Sequence, residues 1–88
     1  MMGISLAVHG QVTFKQGRAE QSNFDPYEVA RMPEAPAVID VVIIDSDAPS
    51  GGVGEPGLPP FAPALCNAIF AATGTRVRRL PIGTSLKA

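Results

Sequence analysis

At 88 residues the chain has room for one small domain, and a domain of that size is only marginally stable alone. It is 45% hydrophobic and 17% charged with a net charge of −1, too apolar for a disordered tail and too balanced for a nucleic-acid or anionic-membrane binder. One cysteine (Cys66) and one histidine (His9) exclude an internal disulfide and a self-contained Cys/His zinc centre.

The start, Met1-Met2-Gly3-Ile4-Ser5-Leu6, lacks the basic region of a signal peptide and reads as an internal segment given a new start. From Leu6 to Asn23 the pattern suggests a β-hairpin. Val8, Val12 and Phe14 are apolar among polar neighbours, Lys15-Gln16-Gly17-Arg18 supplies a turn with Gly17 free to take a positive φ, and a second strand follows through Ser22. His9, beside Gly10, reads as a surface or capping residue.

Between Phe24 and Pro36 the prolines at 26, 33 and 36 break any regular element, leaving at most a turn or short extended stretch from Tyr27 to Met32. Ala37 to Ile44 is the clearest strand. Ile39, Val41 and Ile43 line one face; Val38, Val42 and Ile44 line the other, interrupted by Asp40. Apolar residues on both faces mark a strand covered on both sides.

Ser46 to Pro60 is a Gly/Pro loop that leads directly into an expected helix, Pro60 to Thr73. A proline suits the first helical turn, and Gly74 suits the stop. Phe61, Leu65 and Ile69 recur four apart and no face carries a charge, so the helix reads as buried, with Cys66 a small packing hydrophobe. Thr75 to Ile82 reads as a short edge strand whose arginines, Arg76, Arg78 and Arg79, guard against edge pairing. The whole is expected to be α+β: a hairpin and a long strand in a mostly antiparallel sheet, with one apolar helix packed on it. A hairpin and one helix hardly suffice to cover both faces of that strand, so part of the fold lies outside the chain.

Glu55 is the residue to weigh for chemistry. Glycines at 51, 52, 54 and 57 let another group approach the backbone closely, and Pro56 holds Glu55 extended. From the pattern alone Glu55 is either a general base presented on a stiffened loop or a solvated loop acid. The same glycines do not make a phosphate cradle, because no Lys or Ser/Thr follows at P-loop spacing and G-x-G-x-x-G is not completed. A glycosidase pair with Asp45 or Asp47 as second acid lacks every other feature of a sugar site.

The run from Gly51 to Leu65, with Asn67-Ala68-Ile69-Phe70-Ala71-Ala72-Thr73-Gly74 after it, resembles the C-terminal active-site segment of the xanthine oxidase and aldehyde oxidase family of molybdenum hydroxylases. The resemblance is to the branch containing the molybdenum-binding (beta) subunit of isoquinoline 1-oxidoreductase and the membrane-associated aldehyde dehydrogenases. Gly17 to Phe24, Tyr27, Arg31-Met32 and Pro36 to Ile39 are similar to the same subunit, so the likeness runs from about Gly10 to Ile82.

It implies that residues 1–88 are one C-terminal piece of a molybdopterin-binding catalytic domain. Glu55 would be the general base beside the molybdenum, and Gly54 would lie against the cofactor. The implied reaction inserts water-derived oxygen at an electron-poor carbon of an N-heterocycle or aldehyde. The parent would hold a molybdopterin of the cytosine dinucleotide type and iron–sulfur clusters, its partners being the remainder of the catalytic subunit and an iron–sulfur subunit. One cysteine holds no such cluster, so this chain alone would carry no cofactor and no turnover.

The alternative is a stand-alone, non-catalytic interaction module that self-associates through its helix and strand. Either way the isolated chain is expected to form a homo-oligomer, with no nucleic-acid partner and no membrane contact by this segment. The compartment stays open between periplasm and cytoplasm.

Overall fold

The computed structural model describes residues 1–83. In chain order these form α1 (Met2–Val8), a hairpin of β1 (Phe14–Lys15) and β2 (Arg18–Ala19), one 3-10 turn at Met32–Glu34, and α2 (Phe61–Thr73). The small α+β class expected from the sequence is borne out.

The hairpin pairs Phe14 with Ala19 and Lys15 with Arg18, leaving Gln16-Gly17 as a two-residue turn. Both turn residues have positive φ, 51° and 75°, so the backbone twist matches that of the flanking strands. Thr13 prolongs the ladder by one rung. Its carbonyl accepts from the Glu20 N–H (2.9 Å), its own N–H donates to Gln21 Oε1 (2.8 Å), and its hydroxyl donates to Glu20 Oε2 (2.7 Å). The strands are shorter than the sequence pattern suggests because Val8 belongs to α1 and polar side-chain bonds replace the outer backbone pairs.

Helix α2 runs within one residue of its expected span. Pro60 sits at its N-cap and Pro63 in its first turn, where proline removes no helical bond. At the other end Gly74 adopts φ 73° and donates its N–H to the Phe70 carbonyl (2.7 Å). Phe61, Ala62, Leu65, Cys66 and Ile69 form a half-buried stripe; Ala64, Asn67, Ala68 and Phe70 to Thr73 face solvent. The helix is therefore half packed rather than buried all round, because a short helix is its one helical neighbour among the described residues.

That neighbour, α1, is not foreseen by the sequence pattern. Its glycine, Gly3, lies so close to Phe61 that an added Cβ would sit 2.7 Å from the ring's Cγ. Ala7 and Ile82 are the buried hydrophobic residues of the described chain. The N–H groups of Ile82 and Gly83 donate to the carbonyls of Ala7 (2.8 Å) and Val8 (2.9 Å), satisfying helix-end acceptors that have no partner within α1. The Ala30 N–H donates to Ser5 Oγ (2.9 Å), tying the middle of the chain to the same helix.

Two expected strands are absent. Residues 75–82 form no edge strand: Thr75 follows the αL stop of α2, and the Arg76 guanidinium lies over the Phe70 ring at 3.6 Å from its centroid. The arginines thus have no edge to guard. Residues 37–44 pair with nothing among the described residues, and Val41, Val42, Ile43 and Ile44 are 78 to 87% exposed. Each exposed Val or Ile there forgoes about 1.5–3 kcal/mol of burial.

The shortfall shows in the dimensions. A folded monomer of this mass is expected to expose about 4,900 Å²; this chain exposes 7583 Å². Its radius of gyration is 16.2 Å, where a compact domain of this length has about 12 Å.

Gly3→Ala should lower unfolding free energy by about 1–3 kcal/mol, because the methyl meets the root of the Phe61 side chain and not a flexible tip. Denaturant unfolding followed by circular dichroism checks this; an unchanged midpoint would show that α1 and α2 do not pack as described.

Candidate functional site

Glu55 lies in the loop between the unpaired 37–44 segment and α2. Two successive turns shape its end: the Glu55 carbonyl accepts from the Leu58 N–H (3.0 Å), and the Leu58 carbonyl accepts from the Phe61 N–H (3.2 Å). The turns follow from Pro56, Pro59 and Pro60, which fix φ and cannot donate. They deliver the chain directly into the first turn of α2, so Glu55 is held one short span from that helix.

Glu55 is exposed, and among the described residues its carboxylate has no hydrogen-bond or ion-pair partner. Gly51, Gly52, Gly54 and Gly57 are exposed as well, and a Cβ built on any of them meets nothing within 4 Å. None of the four takes a positive φ. Neither packing nor backbone strain inside this chain therefore demands glycine here. What the loop offers is a carboxylate and a stretch of bare backbone, open to a body from outside.

Asp45 and Asp47 are exposed, and Ser46 Oγ accepts from the Ala48 N–H (3.1 Å), a local turn. No bond among the described residues links these acids to Glu55. Cys66 is half-buried and unpaired, and borders a shallow groove with Ala62, Asn67, Arg76 and Leu80, in keeping with a packing role.

His9 is placed in a setting that spacing alone could not show. It closes the C-terminus of α1, its Nε2 bonds Glu34 Oε1, and its Nδ1 lies 3.4 Å from Glu28 Oε2. Glu34 also accepts the Arg31 N–H (2.8 Å) through Oε2, while its own N–H donates to the Arg31 carbonyl (2.9 Å). The Arg31 backbone bond, and then the His9 bond, hold the Glu34 carboxyl below its ordinary value. The separation of 25 positions between His9 and Glu34 hid this contact from the sequence reading. Its arrangement is structural, joining α1 to the 28–34 segment. No group of three or more His, Cys, Asp or Glu side chains among the described residues is placed to hold a metal ion.

With that geometry in view, the chain is similar to short segments of much longer oxidoreductases. It is 35% identical over 86 residues, 98% of its length, to the beta subunit of isoquinoline 1-oxidoreductase from Brevundimonas diminuta, of which it spans 11%. It is 38% identical over 78 residues, 89% of its length, to a nicotinate dehydrogenase subunit of Pseudomonas putida, spanning 7% of that protein. To the membrane-bound aldehyde dehydrogenase [pyrroloquinoline-quinone] of Gluconacetobacter polyoxogenes it is 30% identical over 82 residues, 93% of its length and 10% of the relative's.

The resemblance read from the sequence is thus borne out over nearly the whole chain, which spans about a tenth of the length of the curated relatives it matches. No protein-family model matches, and no solved structure matches. No helix among the described residues is long and apolar enough to cross a membrane.

Glu34 gives a pH prediction. Because its folded value lies below the ordinary 4.5, its bonds contribute fully above that value and are lost as pH falls through the lowered one. Glu34→Gln should therefore reduce stability at pH 7, and the difference from wild type should vanish in acid. Thermal unfolding of both proteins from pH 7 down into acid checks this; a difference that does not shrink as pH falls below 4.5 would remove the carboxylate from the account.

Proposed function

We propose that this chain is the C-terminal part of the catalytic subunit of a molybdenum hydroxylase and supplies its general base, Glu55. The observation that carries the reading is the pairing of an open carboxylate with a bare glycine backbone, in the Gly51 to Pro60 run by which the sequence resembles that family. Two of the three relatives carry the names of N-heterocycles and the third that of an aldehyde, which supports an electron-poor carbon as the point of attack.

The residues fit such a centre as one wall and not as its ligands. Gly54, free of any side chain, suits contact with a bulky pterin, and Glu55 follows it at the start of the turn to Leu58. A molybdenum centre bound there supplies the two-electron oxidation chemistry, and its ligands, like those of any iron–sulfur cluster, come from other parts of the parent. The cytosine dinucleotide form of the pterin belongs to the same reading. One relative's name specifies pyrroloquinoline quinone instead, so elemental and cofactor analysis of the parent separates the two cofactor classes.

Glu55 has one task in this scheme: its carboxylate accepts a proton from the water-derived oxygen as that oxygen becomes nucleophilic. A positioned base contributes about 10²–10⁴-fold to such a step. Pro56 holds the residue before it extended, so that the side chain is presented with little rotational searching of the backbone.

Glu55→Gln in the assembled enzyme should cut turnover by at least about 10²-fold while leaving cofactor content unchanged. Turnover that survives the substitution removes Glu55 from the mechanism; lost cofactor would make it a structural residue instead.

A second reading, a self-associating module without catalysis, draws on the exposed apolar residues of 37–44 and α2. The isolated chain is expected to form a homo-oligomer under either reading. Native mass spectrometry should give a clean multiple of the polypeptide mass; a lone monomer would count against self-association, and added mass of a molybdopterin nucleotide would show that the chain builds a cofactor site unaided.

A further inference from the structure

We propose that residues 38–44 are an interior β-strand without its sheet, and that its partner is a sheet carried by the rest of the longer oxidoreductase subunit. The inference deepens the proposed function and rests on its placing of the chain within such a subunit. Val38-Ile39-Asp40-Val41-Val42-Ile43-Ile44 is β-branched at every position but one, the composition that fits a pleated surface. Ile39, Val41 and Ile43 share one face; Val38, Val42 and Ile44 share the other with Asp40. An edge strand over solvent keeps one polar face, and this run has none, so both faces ask for cover.

Among the described residues nothing provides it. The six apolar side chains are 67 to 87% exposed, and no backbone bond engages residues 37–45 among the described residues. The hairpin is two residues per strand, and α2 is already committed on one side to α1. The length of the relatives indicates the occupant. The segment that matches this chain is 7 to 11% of each, leaving some nine-tenths of a subunit to carry a sheet. A second copy of this chain is the weaker candidate, since it brings only another bare strand and another small hairpin.

The position of the strand joins it to the site. It ends at Ile44, and the Ser46 to Pro60 loop runs from there past Glu55 into α2. Seated in a foreign sheet at one end and closed by two turns and a helix at the other, the loop would be anchored on both sides. Seating of 38–44 is then what positions Glu55 against a centre held by the rest of the subunit.

The test uses the full 88-residue chain, tagged and co-expressed with the Brevundimonas diminuta beta subunit from which the matching segment has been deleted. Amide hydrogen exchange is then read by mass spectrometry. The expected result is a one-to-one complex in which the amides of 38–44 exchange at least about 100-fold more slowly than in the free chain. If the truncated subunit is not recovered folded, the intact subunit carrying this chain in place of its own segment gives the same reading.

A complex or graft with unprotected 38–44 amides overturns the proposal, as does failure of both to assemble. Concentration-dependent protection of 38–44 in the free chain as strong as that in the complex also overturns it, by making a second copy the partner. Unprotected 38–44 together with turnover lost on Glu55→Gln would sink this inference and spare the proposed function. Protected 38–44 with turnover surviving Glu55→Gln would do the reverse.

Discussion

The structure depends on the two-way satisfaction of α1. A helix of seven residues does not hold itself together in water, since its few internal bonds cannot offset the cost of nucleation. It persists because three other parts of the chain need it. Phe61 packs on the bare backbone of Gly3, the Ile82 and Gly83 N–H groups cap its terminal carbonyls, and Ala30 and Glu34 bond to Ser5 and His9. Each of those segments is otherwise a loop or a single helix, and α1 is the one element on which they meet.

A hub that small leaves most of the apolar chain without a place to go. Ala7 and Ile82 are buried, while the Val/Ile run of 37–44 and the outer face of α2 are not. The two exposed apolar elements flank the Gly/Pro loop on either side. Under the proposed function, the two elements left unpacked are the ones that would hold Glu55 in place. The hairpin and the His9–Glu34 contact lie outside this strip and rely on local turns and polar bonds, which need no outside partner.

The three relatives are all oxidoreductases by name. Their names share oxidation of small organic molecules, and two of the three are named as subunits, so those proteins work as assemblies. What the loop offers is limited by its residues to an exposed carboxylate and an unobstructed backbone. Both are compatible with a centre whose ligands lie elsewhere, and neither selects the substrate.

The sequence by itself determined the local features. The Gln16-Gly17 turn, the span of α2 with its prolines at the start and Gly74 at the stop, and the exposed setting of Glu55 all follow from the conformational limits of residues within a few positions of one another. So does the α+β class, and the specificity of the Gly51 to Pro60 run made the family resemblance legible. Only the tertiary structure decided the rest. Met2 to Val8 becomes a helix through contacts with residues 30, 61, 82 and 83, none of them near in sequence. His9 finds Glu28 and Glu34 for the same reason. The 37–44 run shows the opposite limit: its composition has a strand's preferences, but pairing needs a neighbour, and the described residues supply none.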